Sequence, residues 1–536
     1  VIPLTLPNFT DHLKASIGYV LPEVTLVAAA CLLFLLACVR GGRAVSFVIA
    51  LLGVASAGTV AWFVPEGVVP RAGEAAANAF NPAFAPIDPT GAASFIRWMA
   101  LVAAAVYVFL GWTDCKTAPP EYYACWLVVA AGLSLVGRSN DLVTLFLSLE
   151  MVSIPTYVLL YLPAVGKTGQ ESAMKYFMLS VLSSAVLLFG FSYLYGITGS
   201  TNLHAIIAAL TRTGTTDGSQ PLLAVVGGVM VLGGLGFRVA AVPFHFYAPD
   251  VYEAGPTGVV GQLAFVPKVA GFVALARLFG LLSAHTPQLG LPFGVENSLL
   301  PLSMWVIAVI TMSFGNLLAI IQDNLKRLMA YSGIAHTGYM LIGVLVASAT
   351  PGEGVARSGM DAVLFYLAAY GLMTVGVFAV ISHVENPDRP VESVDDLAGL
   401  GRTHPWAAAA MAVFLFSLIG LPLTAGFVGK FNLFVAAFEV PTDTKMRNMY
   451  QILTVVAVVN AAISAVYYLR ALGVMFLRAP LKPATPGRGL PQLAVAVVCA
   501  LATVVFGCWP QPLLALTSKA APVPTPAPIA YVTSTK

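Results

Sequence analysis

Apolar stretches long enough to cross a membrane recur along almost the whole chain, and no other feature limits its fold so strictly. Fourteen are legible, near 19–39, 44–64, 95–112, 121–137, 141–162, 173–197, 221–242, 258–283, 300–321, 328–348, 361–383, 405–438, 450–478 and 491–510. A hydrocarbon core of about 30 Å takes about 20 helical residues at about 1.5 Å each. Inside it each backbone N–H and C=O must be paired within the protein, which helices achieve segment by segment. The sequence therefore predicts an all-α polytopic membrane protein with about fourteen transmembrane helices. Composition points the same way: 58% of the 536 residues are hydrophobic and 10% are charged, whereas a soluble chain is about one quarter charged. The formal net charge of +3 gives no support for nucleic-acid binding.

The connections carry less information. The stretch 65–91 is rich in Ala, Pro and Gly and reads as an extramembrane loop; 384–404 has enough acid and proline to remain in water. The polar stretch TGSTNLHAIIAALTRTGTTDGSQ has room for one short surface helix. The tail beyond Pro510 reads as an extended or disordered appendage. The opening VIPLTLPNFTDH lacks the basic start of a signal peptide, so the first span is expected to be retained. Cysteines 31, 38, 115, 125, 499 and 508 lack metal-ligand spacing and suggest neither a disulfide framework nor a zinc or iron–sulfur site. No loop is large enough for a separate catalytic domain. Lys and Arg fall on both sides of an alternating path, so charge assigns no orientation.

Charged residues inside the apolar segments are the functional signal, because an ionisable group in hydrocarbon costs several kcal/mol unless it is paired or hydrated. Glu150 lies nine positions after Asp141, about 14 Å along a helix and near the midplane. A cation moving relative to such a carboxylate can drive proton uptake or release. Lys268, beside Pro267, and Lys430, in GLPLTAGFVGKF, are candidate proton carriers because a buried lysine can lose its proton. Arg238 stays charged and is better suited to a fixed counter-charge for Glu150. Lys175 is either a further charge modulator or an interfacial side chain reaching for water. His245 and His336 can pass protons between water and the centre, or serve only as structural hydrogen-bonding groups. Pro243, and Pro422 with Gly426, interrupt two apolar segments at matching places, as in transporters whose broken helices line a polar path.

SLEMVSIPTYVLLYL around Glu150, ESAMKYFMLS around Lys175, PFHFYAPDVYEAGPT from Pro243, KRLMAYSGIAHTGYMLIG from Lys326 and GLPLTAGFVGKF ending at Phe431 follow one another in order across the core. In this the chain resembles the subunit N branch of the antiporter-like membrane subunits of NADH-quinone oxidoreductase, respiratory complex I. The resemblance implies two inverted five-helix repeats with discontinuous helices. It divides the chain into N-terminal helices and loop (1–112), a first repeat (113–283), a second repeat (300–478), a C-terminal helix (491–510) and a tail (511–536). It further implies a proton relay through Glu150, Lys268 and Lys430, with Arg238 where the family usually has a lysine, a departure that disfavours any mechanism needing this partner to deprotonate.

No cofactor is expected in this chain; FMN, iron–sulfur clusters and quinone would belong to other subunits of the complex. Expected partners are the other membrane subunits, antiporter-like neighbours among them, the peripheral redox arm indirectly, and lipid. The resemblance places the chain in a bacterial plasma membrane or an energy-transducing organelle membrane. The competing functions are an antiporter-like subunit of a cation/proton antiporter or membrane-bound hydrogenase, and a non-conducting structural subunit of the membrane arm.

Overall fold

A computed structural model of the chain describes residues 17–39, 42–63, 87, 91–112, 118–163, 167–213, 220–285, 299–349, 359–385, 391–440, 444–480 and 489–520. The chain enters as α1 (Leu21–Cys38), α2 (Arg43–Phe63), α3 (Gly91–Leu110) and α4 (Pro119–Arg138). It continues through α5 (Leu142–Tyr161), α6 (Lys167–Thr198), the short α7 (Leu203–Thr213), α8 (Gln220–Arg238), the short α9 (Tyr247–Ala254) and α10 (Thr257–His285). The rest comprises α11 (Leu299–Ile320), α12 (Leu325–Ala349), α13 (Gly359–Val384), α14 (Pro405–Ile419), α15 (Ala425–Phe438), α16 (Thr444–Leu477), α17 (Leu490–Cys508) and α18 (Gln511–Ala520).

Twelve of these helices are long and apolar enough to cross a membrane; Leu223–Arg238 within α8, and α14 and α15, are shorter apolar segments. Counting α8 as one crossing and α14 with α15 as another gives the fourteen that hydropathy predicts. The expected loop 65–91 lies almost wholly outside the described residues, as do the opening dozen residues and the chain beyond 520. Two polar stretches hold more structure than loops need. As expected, a short helix, α7, forms after α6. In 384–404, Ser393 and Asp396 close a capping box around the 3-10 turn Val394–Leu397.

The first ten residues of the tail depart from the expected extended or disordered form, and the rest lies outside the described residues. Residues 511–520 make α18, which buries Leu513, Thr517 and Ala520 at helical spacing as it packs on α3 and α13. Proline at the start of this helix is no obstacle, because the first turn has no intrahelical use for its N–H.

At the centre lie α10, α12 and α13. The most apolar stretch of α12 is wholly buried and that of α10 is 94% buried, whereas only 28% of the α1 stretch is covered. The outer helices α1, α2, α6, α11, α16 and α17 present leucine, valine and phenylalanine outward, as helices facing lipid do. Lipid gives little hydrophobic reward for helix contact, so close backbone approach through small residues matters more. Gly315 on α11 and Gly338 on α12 make that approach: a Cβ on Gly338 would lie 2.5 Å from the Met312 backbone nitrogen.

Candidate functional site

Aspartate 141 caps α5, accepting from the backbone N–H groups of Val143 at 2.8 Å and Thr144 at 3.3 Å, and so fixes where the helix begins. Glu150 follows nine residues on, in line with the exposed Val143, Leu147, Ile154 and Val158, yet its side chain is only 18% exposed. Arg238, the last residue of α8, meets it. Arg238 Nη2 donates to Glu150 Oε1 at 2.6 Å and to Ser184 Oγ at 3.0 Å. Its Nη1 donates to the Leu149 carbonyl at 3.1 Å and to Ser153 Oγ. Ser184 itself donates to Glu150 Oε1 at 2.6 Å. A guanidinium that divides its donors between a carboxylate, a carbonyl and two hydroxyls is held as a fixed positive charge. The two serines complete the polar surroundings of the pair, and the sequence does not single them out from other serines in apolar segments.

Beyond Arg238 the chain leaves the helix through Ala240, at φ 57°, and Pro243. The Val239 carbonyl accepts from Thr337 Oγ1 at 2.7 Å, and the same hydroxyl donates at 3.1 Å to the carbonyl of Gly333. That carbonyl also receives Lys268 Nζ from α10. The first break is thereby joined through α12 to the central lysine. Lys268, 2% exposed, also donates to the Tyr370 hydroxyl at 3.3 Å and sits 5.1 Å from that ring's centroid. A Cβ at Gly333 would come within 2.8 Å of both Lys268 Nζ and Tyr370 OH, so glycine there makes the space for the amine.

The second break runs from Gly420, at φ 94°, to Thr424, between α14 and α15. As predicted for 405–438, it separates two half-helices. The end of a helix leaves carbonyls without intrahelical donors and a partial negative charge. Lys430, one turn into α15, turns back to supply both needs: Nζ donates to the Leu418 carbonyl at 2.8 Å and the Ile419 carbonyl at 3.1 Å. The amine also stands 5.0 Å from the centroid of Tyr339. Gly426 allows α15 to start hard against α14, where its N–H donates to Ser417 Oγ at 3.0 Å.

His336 lies between the two lysines. It is 1% exposed, so it belongs among the central groups and not at a water-facing entrance. Its ring centroid is 5.4 Å from that of Tyr370, which carries Lys268, and 5.7 Å from that of Tyr339, which carries Lys430. His245 is only partly buried; it sits in the first break, edge-on to Phe314 at 5.2 Å. Lys175 is 49% exposed and pairs with Glu171 at 2.9 Å and Asp250 at 3.7 Å. This places Lys175 in a rim network with Arg327, which meets Asp250 at 3.1 Å and Glu253 at 2.7 Å, and not beside Glu150. Pro243, Pro422 and Gly426 all stand at the two breaks. Among the described residues no three His, Cys, Asp or Glu side chains come together as metal ligands.

Residues 139–459, more than half of the chain and the part that holds every one of these groups, match the family described as NADH:quinone oxidoreductase/Mrp antiporter, TM. The chain belongs to this family. Within it, the NADH-quinone oxidoreductase subunit N of Anaeromyxobacter sp. (strain Fw109-5) is 35% identical over 528 residues, covering 95% of this chain and 97% of the relative. The subunit N of Chlorobium chlorochromatii (strain CaD3) is 34% identical over 511 residues, with 94% of each chain covered. Among solved structures, a chain of respiratory complex I from Thermus thermophilus with bound Aureothin is 30% identical, with a TM-score of 0.72 over 92% of this chain and 99% of that one. A chain of the Mrp complex from Dietzia sp. DQ12-45-1b has a TM-score of 0.75 over 94% and 96% of the two chains, at 20% identity, and shares the fold.

Proposed function

We propose that this chain is a proton-translocating membrane-arm subunit of the N type in an NADH-quinone oxidoreductase, with the redox chemistry carried by other subunits. The observation that carries the proposal is the row of buried ionisable groups in one family member: Glu150 with Arg238, then Lys268, His336 and Lys430, each held by named partners in the protein interior. Such groups are costly in a membrane and are kept where charge has to move.

In this reading Glu150, Lys268 and Lys430 hold the proton in turn. Arg238 acts by position, because a guanidinium keeps its charge. Lys430 has a second part: when protonated it caps the end of α14 with both charge and N–H donors, and when neutral it keeps donors but loses the charge that favours the helix end, so proton loading is tied to the stability of the break. The 113–283 and 300–478 segments are assigned as the two repeats, each with its break in the fourth of five crossings. The flavin, iron–sulfur clusters and quinone site are assigned to other subunits, and the immediate partners to membrane subunits of the same arm.

The test is Lys430→Met in the assembled complex reconstituted into vesicles, with protons pumped per quinone reduced as the readout. The expected result is a lower ratio with the subunit retained in the complex. An unchanged ratio takes Lys430 out of the path and favours a structural subunit.

A further inference from the structure

His336 has a hydroxyl on each ring nitrogen. Nδ1 is bonded to Tyr366 OH, from α13, and Nε2 to Tyr468 OH, from α16, at 3.2 Å. The Tyr468 hydroxyl is also bonded to Ser332 Oγ, on α12. All four side chains are buried, with at most 1% of any of them exposed. The two hydroxyls also lead in different directions. Tyr366 packs on the backbone beside Lys430: a Cβ at Gly429 would fall 2.4 Å from its ring. Ser332 precedes Gly333, whose carbonyl receives Lys268 Nζ.

We infer that Tyr366 and Tyr468 are relay groups for the proton transfer assigned above, one on the Lys430 side and one on the Lys268 side of His336. The inference rests on that function. A phenol both donates and accepts, and an imidazole can take a proton at one nitrogen and release another from the second. Take a proton arriving from the Lys430 side. Tyr366 accepts it while passing its own hydroxyl proton to Nδ1, and the ring becomes imidazolium. The proton on Nε2 then leaves to Tyr468, which passes its own to Ser332 and onward. Each oxygen ends neutral, and His336 ends in its other tautomer; the reverse sequence carries a proton the other way. Tyr468 bonds both His336 and Ser332, and with Tyr366 on the other nitrogen the four groups form a continuous hydrogen-bonded row through one imidazole ring.

Tyr366→Phe and Tyr468→Phe keep the ring and remove the hydroxyl. In the reconstituted complex both are expected to assemble and to lower the protons pumped per quinone reduced to the level of Lys430→Met. The double variant should be no worse than either single one, because the two act in series. A wild-type ratio in both tyrosine variants, beside a lowered ratio in Lys430→Met, overturns the tyrosine relay and leaves the lysine axis standing. A wild-type ratio in Lys430→Met as well overturns the function itself. Should Tyr468→Phe fail to assemble, Ser332→Ala removes the next hydroxyl in the row with almost no change of volume: a lowered ratio supports the relay, and a wild-type ratio overturns it.

Discussion

Arg238 shows how much one side chain decides. A lysine in its place would offer a single point charge that can shed its proton; the guanidinium has separate donors for Glu150, the Leu149 carbonyl, Ser153 and Ser184. Arg238→Ala removes the counter-charge and the donors together, and Arg238→Lys keeps the charge, so the lysine variant should be the milder in proton pumping. Glu150→Gln keeps the size of the carboxylate and loses its charge. In a double-mutant cycle on the heat stability of the assembled complex, Glu150→Gln and Arg238→Ala should be non-additive by about 0.5–3 kcal/mol. Strict additivity would mean that the 2.6 Å contact carries no energy of its own. Residue type suggested Arg238 as a fixed counter-charge for Glu150; the contact itself is a finding of the structure. Ser153 and Ser184 were not legible, because serine is common in membrane helices and nothing in a sequence says which serine faces a charge.

Among the helices, the two breaks differ in how they are held. At the first, Thr337 reaches from α12 to a freed carbonyl. At the second, α15 supplies the cap to α14 from within the same interrupted span, through Lys430. Gly426 makes this geometry possible, since a Cβ there would lie 2.0 Å from the Ser417 carbonyl oxygen, a backbone atom that cannot rotate away. Gly426→Ala should therefore force α14 and α15 apart, at about 1–3 kcal/mol for an overpacked site. The measurement is the fraction of assembled complex surviving a heat step, together with the pumping ratio; normal values for both would show that the break adapts freely. The existence of this break was readable from Pro422, Gly426, Gly429 and the excess length of 405–438. The capping by Lys430 was not, since it depends on how far α15 turns back on α14. The helix at 511–520 was not readable for a related reason: α18 is too short and too mixed in composition to announce a helix, and it is fixed by the surface it finds on α3 and α13.

For the whole molecule, the N-terminal helices are tied together by a buried ion pair. Arg97 on α3 holds Glu23 on α1 with two bonds of 2.9 Å, both side chains 3% exposed, and also reaches the Tyr19 carbonyl; Ser134 on α4 donates to the same carboxylate. Breaking a buried pair by removing one partner strands the other charge, at about 3–5 kcal/mol. Arg97→Ala should lower the melting temperature of the complex in detergent, and by more than Lys430→Met, which removes a helix cap but strands no opposite charge. Equal melting of wild type and Arg97→Ala would show that the pair adds no net stability. The sequence by itself determined the class of the protein, the approximate number of crossings, both breaks and the identity of the charged residues, because hydrocarbon penalises every unpaired polar group and so each exception stands out. Only the tertiary structure decided which exceptions meet. Lys175 and Lys268 look alike in the sequence, but one joins carboxylates at the rim and the other the buried Gly333 carbonyl and Tyr370. His336 acquires two tyrosines from helices 30 and 132 positions away. Hydropathy records how deep a residue lies along its own helix, whereas partnership depends on the rotation and crossing of several helices, which apolar outer and inner faces leave unmarked.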